Sequence, residues 1–307
     1  MRDRFIHTLF DMAATNPDIM LLTGDLGFGV LEKFEQAYGL RYINVGVAEQ
    51  NMIGLATGLA LEGKIAVTYS IGNFGTFRCF EQIRNDACYH EANVKIVSVG
   101  TGFSYGSLGI SHHATEDITV FRALPNITIF SPGDHWEAGE CTRAMVRTPG
   151  TCYLRLDKSV APNTAQPGEV FEVGKARILR EGTDISLFST GGILGEVLLA
   201  ADALRKKNIL ARVVHFHTLK PLDHTAILEA ARQTKGIITV EEHTLDGGFG
   251  SAVAECLMDA GVAPKRFCRI GLKDGFSSIV GDQAYLRQTY GICSEAIVDA
   301  VCTRDGY

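Results

Sequence analysis

The strongest constraint on this chain is a rhythm. Short β-branched apolar runs, Ile19–Thr23, Ile65–Ser70, Val94–Val99 and Ile127–Phe130, alternate with longer stretches of helical spacing such as Phe5–Ala14 and Cys79–Glu91. Repeated strand–helix units bury both faces of their strands in a largely parallel sheet flanked by helices. The expected fold class is therefore α/β, built as three-layer domains. The rhythm stops near 158–172, where Lys158-Ser-Val-Ala-Pro-Asn-Thr-Ala-Gln-Pro-Gly-Glu169 is polar and carries two prolines. No regular element runs easily through such a segment, so it reads as a linker. The pattern restarts with Ile185–Ser189, Leu194–Lys206, Ala211–Phe216, Leu222–Thr234, Gly236–Val240 and Ala252–Ala260. Two domains, 1–165 and 172–307, are expected.

Composition narrows the function classes. Lys plus Arg number 29 and Asp plus Glu 35, a formal net charge of −6, which argues against a nucleic-acid footprint. No uninterrupted apolar run approaches the roughly 18 residues of a membrane span. The charged opening, Met1-Arg-Asp-Arg-Phe5, is unlike a signal or transit peptide. The eight cysteines form no CxxC and are too sparse for a disulfide scaffold or a zinc site. Reduced thiols in a cytoplasmic protein are the expectation. The 33 glycines have no collagen period, so they call for tight turns and close backbone approaches.

Several stretches carry chemistry. Gly24-Asp25-Leu-Gly27-Phe-Gly29 follows a strand but lacks the spacing of a dinucleotide fingerprint, and reads as a tight turn beside a ligand site. Asp25 either caps locally or faces a partner chain. In Asn44-Val-Gly-Val-Ala-Glu49-Gln50-Asn51-Met52, a carboxylate and two amides enter a helix otherwise made of apolar and small residues. An interior carboxylate needs a partner or a task, and burial favours its neutral form, which suits proton exchange. The alternative is a helix-start Glu stabilised by free N–H groups. Composition alone does not separate the two. Phe74 and Phe77, set among Gly72, Gly75 and Arg78, either sandwich an aromatic ligand or fill the core. Ser104–His113 is a Gly/Ser-rich loop ending in His112-His113. Adjacent histidines diverge and chelate poorly, so one substrate-contacting imidazole is the better reading. Arg155, at a strand end, either pairs with Asp157 or presents its fork to an anion. His215, His217, Lys220, Glu241, Glu242 and His243 fall at strand ends of the second domain, as site or interface residues. Hydrolase elbow, zincin and Walker motifs are absent.

In order along the chain, four motifs resemble the transketolase family: Arg41–Ala56, Phe77–Arg84, Gly109–Asp117 and Arg122–Asp134. Lys220-Pro-Leu-Asp223 and Glu241–Gly250 resemble its C-terminal domain. The resemblance covers practically the whole chain and is closest to the C-terminal half, which split enzymes carry as a separate subunit. It implies thiamine diphosphate, with Glu49 as the carboxylate at N1′ of the aminopyrimidine. His112 then contacts the donor sugar and assists proton transfer. Phe77 or Phe74 stacks on the pyrimidine, Arg78 lines its pocket and Asp25 lies near the cofactor and the boundary between subunits. Arg155 grips the substrate phosphate, with Arg2 or Arg4 as further candidates. The resemblance places no metal ligand in this chain. Gly24-Asp25-Leu26 and Asn51 only imitate the family's GDG and Asn, so Mg2+ or Ca2+ and the diphosphate fall mainly to a partner carrying that motif, in an α2β2 assembly. The implied reaction moves a two-carbon ketol unit between sugar phosphates. A deoxyxylulose-phosphate-synthase-like carboligase or a 2-oxo-acid dehydrogenase β subunit is the alternative. Two departures concern the substrate: Leu108 stands where the family has an Asp, and a family histidine is replaced around Gly100.

Overall fold

A computed structural model describes residues 1–158 and 161–303, so positions 159 and 160 of the expected linker and the last four residues lie outside it. Among the described residues, twelve strands form two sheets. They are β1 (Ile19–Thr23), β2 (Tyr42–Asn44), β3 (Ile65–Ile71), β4 (Val94–Val99), β5 (Ile127–Phe130), β6 (Thr151–Leu156), β7 (Arg177–Arg180), β8 (Ile185–Ser189), β9 (Ala211–His215), β10 (Thr218–Lys220), β11 (Ile237–Thr244) and β12 (Phe267–Leu272). The helices are α1 (Arg2–Thr15), α2 (Glu32–Tyr38), α3 (Glu49–Leu61), α4 (Phe80–Gln82), α5 (Asp117–Arg122), α6 (His135–Arg147), α7 (Leu194–Lys206), α8 (His224–Gln233), α9 (Phe249–Asp259), α10 (Gln283–Thr289) and α11 (Ser294–Cys302).

The first sheet has the order β10-β5-β6-β4-β3-β1-β2 and the second β12-β11-β8-β9-β7. Both are parallel except for one antiparallel edge strand each, β10 on β5 and β7 on β9. The strand β10 belongs by sequence to the second half but extends the first sheet. Covering that edge removes a row of unpaired backbone groups and ties the halves together.

Central strands explain the apolar runs. Every residue of β4 and β6 is buried, as strands with both faces covered must be. Lys95 of β4 and Arg155 of β6 are charged all the same, and the Lys95 Nζ donates to the carbonyls of Thr148 and Gly150, each at 2.6 Å. Capping sets helix starts. The Asp134 side chain accepts from the Glu137 N–H at 2.8 Å to open α6, and Asp223 and Asp282 open α8 and α10 in the same way.

The stretch 79–91 departs from a single helix. A 3-10 turn (Phe77–Cys79) leads into α4, followed by a π-helical turn over Ile83–Cys88. The wider turn keeps Ile83, Ala87 and Cys88 in the core. None of the eight cysteines is paired. Among the described residues, no helix is long and apolar enough to cross a membrane.

Candidate active site

Strand register builds the site. Thr23 pairs with Asn44 and with Tyr69, while Ile71, Val99 and Leu156 lie side by side across β3, β4 and β6. The carboxyl ends of five parallel strands therefore form one rim, the usual place for a site in an α/β sheet. The segments leaving that rim carry Gly24, Glu49, Phe74, Tyr105 and Lys158.

Glu49 begins α3 and is 1% exposed. Its Oε2 accepts from Arg78 Nη1 at 2.9 Å. Its Oε1 is buried without a hydrogen-bond partner. Leaving such an oxygen bare costs about 1–3 kcal/mol, so it marks a place where a donor belongs. Gly24 keeps that place open: a Cβ there would meet Glu49 Oε1 at 3.6 Å and the Gly46 carbonyl at 3.3 Å. The neighbouring Cys79 thiol is pushed up to about 12, first by burial and then by the Glu49 charge, which makes it a poor nucleophile.

From Glu49 the contacts continue. The Arg78 guanidinium lies 4.4 Å from the centre of the Phe74 ring. Phe74 meets the His112 ring edge-on at 5.1 Å, and His112 lies 5.6 Å from Tyr105. Asn73 fixes the loop by donating to the Ser111 carbonyl at 2.8 Å, and the Ser111 hydroxyl sits 2.9 Å from His112 Nδ1. Partial burial, then the charges of His113 and Lys158, lower the His112 pKa, which favours the uncharged ring. His113 diverges into the core, with Nε2 2.9 Å from the Gly106 carbonyl.

Four expected site residues, Glu49, Arg78, Phe74 and His112, thus form one continuous chain of contacts. Phe77 is half-buried at the start of the 3-10 turn, and it is Phe74 that bridges Arg78 and His112. Asp25 is exposed, with a left-handed φ of 57°, and is locked to Asn44 through two hydrogen bonds of 2.9 and 3.2 Å. Among the described residues, no cluster of three or more His, Cys, Asp or Glu side chains is placed to hold a metal ion.

The phosphate-gripping role expected of Arg155 needs correction. The side chain is 2% exposed, its Nε donates to Asp117 at 2.8 Å, and its Nη2 donates to the Ala114 and Glu242 carbonyls at 3.3 and 3.2 Å. A buried guanidinium with its fork engaged is not offered to a substrate. It pairs with Asp117 rather than Asp157, because the loop before α5 folds across the end of β6. The charged strand ends of the second domain likewise turn inward. His215 Nε2 lies 3.0 Å from Glu137, His243 accepts from the Ile118 N–H at 3.0 Å, and Glu242 accepts from the Phe103 N–H at 2.5 Å. They form the contact with the first domain.

Tyr105 and Lys158 lie at the same rim, with the Lys158 ammonium 3.7 Å from the centre of the Tyr105 ring. Gly100 adopts a left-handed φ of 79°, and a Cβ on it would fall 2.0 Å from Tyr105 Cε2. The tyrosine ring thus fills the space a side chain at position 100 would need.

Residues 1–163 match the transketolase pyrimidine binding domain and residues 174–297 the transketolase C-terminal domain. The 6-deoxy-6-sulfo-D-fructose transketolase subunit SqwH of Clostridium sp. is 36% identical over 301 residues, covering 98% of this chain and 92% of the relative. An apulose-4-phosphate transketolase subunit of Actinobacillus succinogenes is 38% identical over 84% of this chain and 83% of that protein. The 1-deoxy-D-xylulose-5-phosphate synthase of Thermomicrobium roseum is 36% identical, but the match spans only 47% of its length. Among solved structures, a split gene transketolase in an inactive beta4 tetramer superposes with a TM-score of 0.87 at 34% identity, over 98% of this chain and 96% of that one.

The chain belongs to the transketolase family of thiamine-diphosphate-dependent enzymes. Within it, the chain corresponds to the pyrimidine-binding and C-terminal half, the part that split members carry as a separate polypeptide.

Proposed function

We propose that this chain is the pyrimidine-binding subunit of a transketolase that moves a two-carbon ketol unit between sugar phosphates. The observation that carries the reading is the Glu49 carboxylate: buried, with one oxygen held by Arg78 and the other bare beside Gly24. That bare acceptor fits the aminopyrimidine half of thiamine diphosphate, which offers ring and amino groups able to hydrogen-bond. When bound, the cofactor would supply a thiazolium ring whose carbon adds to a carbonyl and which then delocalises the electron pair left by the broken C–C bond.

The chain's own residues supply the rest. Glu49 Oε1 exchanges a proton with a pyrimidine ring nitrogen. Arg78 fixes the carboxylate through Oε2, and Phe74 offers its face to the ring. His112 Nε2, with Nδ1 held at Ser111, meets the donor hydroxyls and shuttles a proton. Asp25, on the exposed rim, lies where a boundary between subunits would fall. The Oε1 donor, the diphosphate and a Mg2+ or Ca2+ ion require a second chain bearing GDG and Asn, in an α2β2 assembly. The outer face of α3 supports such a contact, since Gly54, Leu55, Gly58 and Leu61 are exposed on it.

The test is reconstitution with that partner. Turnover is expected with a ketose phosphate donor and an aldose phosphate acceptor, and not with pyruvate. Pyruvate decarboxylation instead would favour a synthase-like or dehydrogenase-like reading. The chain alone should bind thiamine diphosphate weakly by calorimetry. Tight binding would contradict the need for a partner.

A further inference from the structure

The loop that carries His112 is held in place from the second domain. Residues 101–113 follow β4 and bear Tyr105 and His112, whose rings lie 5.6 Å apart. The first domain ties the ends of this loop. Gly102 and Ala114 exchange backbone hydrogen bonds of 2.8 and 3.2 Å, and Asn73 donates to the Ser111 carbonyl at 2.8 Å. Residues 102–106 are gripped from the other side. The Phe103 N–H donates to Glu242 of β11 at 2.5 Å, and the Phe103 ring stacks on Tyr290, just beyond α10, at 5.4 Å. Gly102 has a left-handed φ of 60°, and a Cβ on it would fall 2.3 Å from Glu242 Oε1. Gly106 lies against the Gly281 carbonyl, which a Cβ would meet at 2.7 Å. Glycine at both positions lets the second domain come this close.

Gln283 of α10 joins these grips. Its Nε2 lies 3.0 Å from Asp157 Oδ1, 2.9 Å from Glu242 Oε1 and 3.4 Å from the Ser104 hydroxyl. An uncharged amide nitrogen carries two N–H donors, so it serves one carboxylate from each domain. Arg287, one turn further along α10, also bonds both carboxylates. The Ser104 hydroxyl donates to Asp157 at 2.7 Å, which closes the network on the residue before Tyr105. From there a run of turns leads to the imidazole. Leu108 donates to the Tyr105 carbonyl at 3.0 Å, Gly109 to Gly106 at 3.1 Å and His112 to Gly109 at 2.9 Å. A shift at Ser104 is passed along this packed path to Tyr105 and His112.

We propose that Gln283, in the second domain, is a positioning residue for His112. It acts through Ser104 and Tyr105, fixing the loop so that the imidazole stands where a donor sugar is met. This rests on the ketol-transfer reading for the role of His112, but the placement of the ring is testable without turnover.

The experiment compares Gln283→Ala and the isosteric Gln283→Glu with the parent chain. The first removes the donors, and the second sets a third carboxylate against Asp157 and Glu242. Both keep Asp282, the cap of α10. In NMR spectra of the full chain, the His112 ring protons feel the ring currents of Phe74 and Tyr105, at 5.1 and 5.6 Å. Both variants should move these signals toward those of a solvated histidine, while the Phe121 and Tyr153 signals of the core stay. Unmoved His112 signals in both variants, or core signals that move with them, overturn the proposal. In the reconstituted complex, kcat with a ketose phosphate should fall about tenfold or more. Affinity for thiamine diphosphate should be kept, because Glu49, Arg78 and Phe74 lie on other segments. A parental kcat, or a loss of cofactor affinity in step with kcat, also overturns it. If the His112 signals move as expected while the parent complex turns over no ketose, the reaction reading fails and the positioning stands.

Discussion

Two carboxylates in the first domain have almost the same exposure and the same kind of neighbour. Glu49 is 1% exposed and 2.9 Å from Arg78; Glu137 is 0% exposed and 2.6 Å from Arg177. They differ in what remains. Glu137 Oε1 takes Arg177, and Oε2 takes the Gly133 N–H at 2.7 Å with His215 at 3.0 Å. Burial pushes this carboxyl up, but His215, His217 and Arg177 outweigh it and hold the group well below the ordinary carboxylate range. Glu49 shares one oxygen with a half-exposed arginine and keeps the other bare. Burial of a charge therefore does not mark a site, because a buried charge with all its partners is architecture. Asp117 Oδ1 is bare as well, but it faces His243 at 3.7 Å inside the contact between the halves, whereas the bare Glu49 oxygen lies at the strand-end rim, where a ligand can reach it.

The sharpest way to break this comparison is to neutralise Glu49. In the reconstituted complex, Glu49→Gln should lower turnover by about 10²- to 10⁴-fold. Its denaturation midpoint should hardly move, because the amide fills the same space. Retained turnover would sink the catalytic reading. The mirror experiment is Glu137→Ala. Urea unfolding should show a loss of about 1–3 kcal/mol, since the Gly133 N–H and Arg177 Nη1 lose a buried acceptor while Glu169 still holds the rest of the guanidinium. A stable variant would show that this cluster is not what joins the domains.

Acid should probe the architecture next. Burial, only partly offset by carboxylates, lowers His217 and His243 to about 4, against an ordinary 6.5. The unfolded chain then takes up protons first, so their contribution is present above about 6.5 and is lost as pH falls toward 4, by about 1–3 kcal/mol each. Glu241 works the other way. Burial raises it to about 7, so its contribution is full below its ordinary 4.5 and fades as pH rises through 7. Unfolding midpoints measured from pH 4 to 7 should fall on the acid side, and His217→Gln should flatten that limb. A variant with an unchanged slope would remove His217 from the account.

The smallest expected effect is at Arg78. Its side chain is 45% exposed, so water screens its bond to Glu49. Arg78→Ala should cost under about 1 kcal/mol of stability. Turnover should fall about tenfold, with the acid limb of the pH–rate profile displaced and Arg78→Lys restoring part of it. An unmoved profile would mean that Arg78 does not orient the carboxylate.

Legibility followed locality. Glu49 stood out because a carboxylate in an apolar helix is anomalous within its own ten residues. The α/β class was legible because period and turn chemistry are local as well. Phe74 could not be chosen over Phe77, since the intervening glycines hide which ring faces Arg78. Arg155 was misread because its partner, Asp117, lies 38 residues away in sequence. Crossing of β10 onto the first sheet was invisible for the same reason.

The amino-acid sequence by itself determined the alternating layers, the family and the one carboxylate out of place. Only the tertiary structure decided which charges are spent on each other and which remain for a ligand. Pairing depends on distance through space, and that distance is set by the register of β3, β4 and β6 and by loops that no local pattern encodes. Glu49 and Glu137 are both glutamates in helices that open after strands; the bare oxygen that separates them exists only in the folded chain.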